Sequence, residues 1–196
     1  AASVAAGRTQ QYVATATYSD GTNPVITNEV TWSSDTASVA TISNATGSKG
    51  LASTTQKGSS KIAASSGSIT STPVTLTVTD AVPVSIAVTP ANSTIAAGGS
   101  QLFKATETFS DGSSTDQSAA VTWSSSDVTV ADIGNTAGDK GLVTAKKAGS
   151  VMITATDTSV TPNITGNTAL TVSAAQLQSI TVKGALEALP VGYLVK

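Results

Sequence analysis

Residues 1–62 and 92–153 of this 196-residue chain align without a gap, 91 positions apart, and 26 of the 62 aligned positions are identical. "EVTWSSDTASVATI", from Glu29, returns as "AVTWSSSDVTVADI", from Ala120, so the only two tryptophans, Trp32 and Trp123, share one place in the period. Self-similarity at a fixed spacing is the mark of stacked modules, and a unit of this length must close a core of its own. Further on, "VTLTVTDAVPVSI" (Val74–Ile86) matches "TALTVSAAQLQSI" (Thr168–Ile180) at 94 apart. The three added residues fall in the polar run "TDTSVTPNITGN", a loop, where extra length costs little. "LQSITVKGALEALPVG" (Leu177–Gly192) then resembles "PVSIAVTPANSTIAAG" (Pro83–Gly98), the opening of a further copy. The expected organisation is residues 1–80 as a domain without its first strand, 83–174 as a complete domain, and 176–196 as the first strand and start of a third.

Inside the complete unit the apolar residues alternate in short runs: "VSIAVTP", "QLFKATETF", "AVTWSS", "TVADI", "GLVTAKKAG", "SVMITATD" and "TALTVS". Turn residues separate them every 8–12 positions, as in Asp111-Gly112, which predicts strands. Thr and Val suit a pleated, half-buried surface, and 61 Ser plus Thr residues leave no periodic helical segment. The fold class is therefore all-β, as tandem immunoglobulin-like Greek-key β-sandwiches.

The alternation of "VTW" puts Val121 and Trp123 on one face, and aromatic residues are only 4% of the chain. With no cysteine, the two sheets of each unit must be held by packing. A buried indole removes about 150–250 Å² from water, so Trp32 and Trp123 are expected to plug the space between the sheets.

These features resemble the group 2 bacterial immunoglobulin-like repeat of intimin- and invasin-type adhesins, also found in phage structural proteins. The residues that carry the likeness are "SIAVTP" at Ser85–Pro90, "AAGGSQLFKATETFSDGS", "VTWSSSD", "VADI", "KGLVTAKKAGSVMITAT" and "LTV". They span the whole middle unit, most of the first and the opening of the third. The first unit departs at "KGLASTTQKGSSKIAASSG", which is poorer in apolar residues. The resemblance implies a non-catalytic structural or spacer repeat of an extracellular bacterial surface adhesin or fibre. Its alternatives are a phage tail or capsid appendage on a virion, or a carbohydrate-binding adhesion module.

Other classes find little support in the sequence. Histidine and cysteine are absent, which removes the commonest catalytic base and the thiol nucleophile, so no catalytic, cofactor-binding or metal residue is assigned. Net charge is −2 with no basic cluster, which argues against nucleic acid. No apolar run reaches the ~18 residues of a membrane span. The start carries no Met and no charged-then-apolar leader, so the chain reads as processed or excised. Asp20 and Asp111, each in "SDG", and Asp80 at the junction are read as turn residues ahead of calcium ligands, which require several converging carboxylates. Asn44, Asn92 and Asn163 fit the N-glycosylation triplet, a pattern that chance supplies freely in a Ser/Thr-rich chain. Tyr18 and Phe109 are expected in core or junction packing.

The short junction "TVTDAVPVSI", with Pro83, predicts restricted bending between neighbouring repeats, and "SAAQLQSI" more freedom. Two readings of the ends stay open. Either they are where a longer protein was cut, or "LQSITVKG" fills the vacant first-strand place of another copy, a strand exchange that would build a fibre. A host-surface or glycan receptor is the remaining partner class.

Overall fold

The computed structural model describes residues 2–182, and the expected third copy from residue 183 onward lies outside them. The strands of the first repeat are β1 (Ala2–Ala5), β2 (Thr9–Gln11), β3 (Thr31–Ser34), β4 (Ala40–Ile42), β5 (Leu51–Thr54), β6 (Gly58–Ser66), β7 (Ile69–Thr70) and β8 (Val74–Thr79). Those of the second are β9 (Pro83–Thr89), β10 (Ser93–Ala96), β11 (Ser100–Leu102), β12 (Lys104–Phe109), β13 (Ser114–Asp116), β14 (Thr122–Ser125), β15 (Ala131–Ile133), β16 (Leu142–Ala145), β17 (Gly149–Asp157) and β18 (Ile164–Ser173). Among the described residues there is no helix, and the chain is a tandem of β-sandwiches.

In the second repeat, β10-β18-β17-β14 forms one sheet and β11-β16-β15 another, with β13-β12-β9 as a third ribbon. Their inward residues meet in a single cluster containing Val88, Phe103, Val121, Trp123, Val143, Ile153 and Leu170. The first repeat has β1-β8-β6-β3, with β7 on β6, facing β2-β5-β4. Its separate cluster holds Val30, Trp32, Ala52, Ile62, Leu76 and Val78.

Three details differ from the sequence reading. "QLFKATETF" is two strands, because the chain breaks at Phe103, whose N–H donates to Gly141 O at 2.8 Å and whose ring is fully buried. The segment Ser93–Ala96, which shows no apolar alternation, pairs parallel to β18 in the register Ser93↔Leu170 to Ala96↔Ser173. The same parallel pairing joins β1 to β8, from Ala2↔Leu76 to Ala5↔Thr79. Finally, residues 174–182 form no strand, and Leu177, Ile180 and Val182 are exposed.

The first repeat has no counterpart of β9 beside it among the described residues. Residues 13–18, which align with β12, form only a loose hairpin with 22–26, through Ala16 N–H to Pro24 O and Ile26 N–H to Ala14 O, both within 3.0 Å. In the second repeat, β9 runs antiparallel along β12 from Lys104↔Thr89 to Phe109↔Pro83.

Candidate functional site

Both tryptophans are buried, Trp123 to 2% exposure and Trp32 to 6%. Strand alternation brings Val121 and Val30 inward beside them. Each indole N–H finds a carbonyl five residues back, Trp123 to Ser118 O at 3.0 Å and Trp32 to Thr27 O at 3.1 Å. A buried indole without that partner would forfeit most of its packing gain.

An asparagine clamps each tryptophan from the neighbouring loop. Asn135 accepts from Trp123 N–H at 2.7 Å and donates to Trp123 O at 2.8 Å. Asn44 does the same for Trp32, at 2.7 and 2.9 Å. The side-chain nitrogen that a glycan would occupy on Asn44 is thus already a donor in the fold. This clamp escaped the sequence reading, although "NATGSKGL" and "NTAGDKGL" carried it 91 residues apart. Gly141 and Gly50 complete the seat, at φ 81° and 77°. A Cβ there would lie 2.6 Å from Phe103 O or Tyr12 O, so no larger residue fits below the indole.

The carboxylates of the "SDG" turns work locally. Asp111 accepts from Ser113 N–H at 2.9 Å and Ser113 Oγ at 2.6 Å, and Asp20 from Thr22 N–H and Oγ1 at 2.9 and 2.7 Å. These bonds, the hydroxyl one foremost, hold both carboxyls below the usual Asp range. Asp80 sits apart, 2.7 Å from Lys57 Nζ in an exposed pair. Among the described residues no three His, Cys, Asp or Glu side chains converge as metal ligands do. Asn92 occupies a left-handed turn position at φ 51°, and Asn163 is exposed in the loop before β18. Phe109 is half-buried and pairs with Pro83 at the junction, whereas Tyr18 is 52% exposed and belongs to no core.

One charged side chain is buried in the second repeat. Glu107, on the inward face of β12, is 3% exposed, and its Oε1 has no hydrogen-bond partner. It borders a cavity of about 350 Å³ with Phe109, Gln117, Val121 and Asp157. Burial first, then the charge of Asp157 and a hydrogen bond with it, push the Glu107 carboxyl above the usual range. Asp157, held by Ser159, goes the other way. The aligned positions in the first repeat are Ala16 and Ser66, so nothing in the period singled this pair out.

The junction between the repeats is fastened by hydrogen bonds. Ser110 N–H donates to Val82 O at 2.8 Å, Val82 N–H donates to Ser110 Oγ at 3.0 Å, and Ser110 Oγ donates back across the junction to Ala6 O. The Gly7 turn lies flat against this serine, since a Cβ on Gly7 would be 2.0 Å from Ser110 O. Arg8, Val82 and Pro83 and the loop Val160–Pro162 line a shallow recess beside it. Ser110 and Gly7 have aligned equivalents in Ser19 and Gly98, so each repeat carries both halves of the fastening.

Comparison with known proteins adds a lineage. The bacterial Ig-like domain family, group 2, matches residues 1–78 and again 83–168. Ice-binding protein 1 of Shewanella frigidimarina is 46% identical over 176 residues, covering 90% of this chain and 18% of that protein. The chain thus spans less than a fifth of that relative. Among solved structures, domains 4 and 5 of the S-layer protein SbsC align at 20% identity and TM-score 0.40, over 81% of this chain and 78% of the other. Drosophila N-cadherin EC1-4 aligns at 14% identity and TM-score 0.44, over 89% of this chain and 47% of that one.

Proposed function

Since the chain belongs to the bacterial Ig-like domain family, group 2, we propose that its repeats are non-catalytic spacers in an extracellular bacterial surface protein or fibre. Their proposed limits are 1–80 and 83–174. The observation that carries the reading is the fastening of Ser110 to Val82 and Ala6. A linker of Gly and Ser would let the repeats tumble, whereas one hydrogen bond from Ser110 to Ala6, two that tie Ser110 to Val82 of the linker, and the Gly7 contact restrict bending. A spacer needs that property and needs no reactive site. The surface suits the role, because charged residues are 11% of the chain and hydroxyl-bearing strands keep it wet without attracting polyanions.

The similarity to an ice-binding protein covers 18% of that protein. The repeats described here are assigned the distance-holding part of such a molecule, with any ice-contacting face elsewhere. Two measurements test this. Spin labels placed one per repeat should give a narrow distance distribution, and a broad one refutes the spacer reading. The purified chain should show no thermal hysteresis and no adsorption to ice; activity in either assay overturns the division of labour.

A further inference from the structure

We infer that the cavity bordered by Glu107 and Asp157 in the second repeat is a binding site for a primary ammonium on an aliphatic stem, the lysine side chain of a partner polypeptide. The inference goes beyond the spacer reading and does not depend on it.

The cavity holds acidic groups that nothing cationic in the chain answers. Glu107 projects from the inward face of β12, is 3% exposed, and its Oε1 has no hydrogen-bond partner. Asp157 stands at the end of β17, where Ser159 N–H donates to its Oδ1 at 2.8 Å. These two are the only titratable residues in the lining, which contains no Lys or Arg. The ion pairs among the described residues lie elsewhere, at Lys57–Asp80 and Lys146–Asp132. Two carboxyl groups in hydrogen-bond contact cannot both ionise cheaply, so without a ligand the pair keeps a proton, as the raised Glu107 carboxyl reflects. A buried acceptor left unpaired costs stability, and perturbed carboxyl pairs in a cleft mark places of binding. An incoming cation supplies the missing partner and sends the shared proton to solvent.

The walls decide which cation fits. Pro83, Phe109, Ala120, Val121 and Val160 present hydrocarbon around the pair, in a volume of about 350 Å³. A divalent metal requires six to eight oxygens with several carboxylates, and among the described residues no third acidic side chain joins these two. An alkylammonium satisfies both halves of the cavity. Its methylenes lie along the apolar wall while the charged head reaches the carboxylates, and the Phe109 ring adds the attraction of an aromatic face for a cation. Gln117 and Thr158 also line the space and offer oxygens to the remaining ammonium hydrogens. The first repeat is the internal control. Its aligned residues, Ala16 and Ser66, carry no charge. The wall at Thr158–Val160 also belongs to the polar run that is three residues longer than its counterpart in the first repeat.

The probe is n-butylammonium, which has the stem and head of a lysine side chain. Titrated into the full chain and followed by amide chemical shifts, it should give saturable changes at Glu107, Val121 and Asp157, and none at the aligned Ala16, Val30 and Ser66. Nα-acetyl-lysine methylamide, the same group within a peptide unit, should bind at least as tightly. n-Butanol, equal in stem and uncharged, should not bind, and calcium chloride should leave these amides unmoved. Glu107→Gln, which is expected to melt later than the parent chain, should weaken both amines by about tenfold or more, because a hydrogen bond to a charged group is lost. Asp157→Asn should do the same. Five results overturn the inference: no saturable shift, equal binding of n-butanol, calcium acting on the same amides, undiminished affinity in both variants, or binding of n-butylammonium without binding of the lysine derivative.

Discussion

The two repeats hold the same indole in the same seat and build very different amounts of core around it. Among the described residues sixteen buried apolar side chains pack together in the second repeat, against ten in the first. Phe103 becomes Tyr12, whose hydroxyl is buried without a partner; Val143 becomes Ala52; and Val151 becomes Ser60, tied to Ser34 at 2.7 Å and to Asp35 at 3.0 Å. Ile86 and Val88, which β9 contributes, have no counterpart among the described residues of the first repeat. The comparison teaches that the clamp of Trp, Asn and Gly defines the unit, while the amount of hydrocarbon around it is free to vary. The second repeat should therefore melt later than the first.

The strongest way to break that ordering is Trp123→Ala. Removing the ring should cost the second repeat about 3–5 kcal/mol, enough to invert the two calorimetric transitions; a second repeat that still melts last shows that the plug is dispensable. Gly166→Ala should come next, at about 1–3 kcal/mol, because the new Cβ must displace Ile86. It should turn the second repeat into a likeness of the first, with fast hydrogen exchange at Thr106 and Thr108. Continued protection there would mean that β9 tolerates the intrusion.

Asn44→Ala and Asn135→Ala sharpen the comparison from the other side. Each strips both backbone partners from a tryptophan and should cost about 1–2 kcal/mol, equally in either repeat, as read by the two transition midpoints. Unequal losses would show that the clamp depends on the surrounding core.

The smallest effect concerns pH. Glu107 has its carboxyl raised in the folded state, so the folded repeat keeps a proton that the unfolded chain gives up. Stability from this group is full below the ordinary Glu range and is lost as pH rises through the raised value. Glu107→Gln should remove that decline and lift the second transition at neutral pH by about 4–8 °C, with relief of the buried ionisable carboxyl worth about 1 kcal/mol. The first repeat, with Ala16 and Ser66, should show no such slope. Asp111 and Asp20 are lowered by their turn bonds, and both repeats should lose that contribution alike as pH falls below the ordinary Asp range.

How far the sequence could be read follows from where information repeats. Trp32, Trp123 and the sandwich were legible because a scarce residue recurred in phase with alternating neighbours. The parallel strand Ser93–Ala96 was not, because its burial is partial throughout and no alternation marks it. Tyr18 is exposed because its aligned partner Phe109 rests on Pro83 of β9, a contact without a counterpart among the described residues of the first repeat. Glu107 and the Ser110 fastening were invisible for a related reason, since their meaning lies in contacts 50 or more residues distant (Asp157, Ala6) and not in any local pattern.

The parallel pairing of β10 with β18, and of β1 with β8, governs how the molecule bears tension. The chain enters each such pair at one end and leaves from the other. Pulling on the two ends drives neighbouring strands along each other, and their four paired positions must yield in shear together instead of unzipping singly. Resistance to stretching is then set by the rate of crossing that one barrier, so a repeat of modest equilibrium stability can still keep its length under drag.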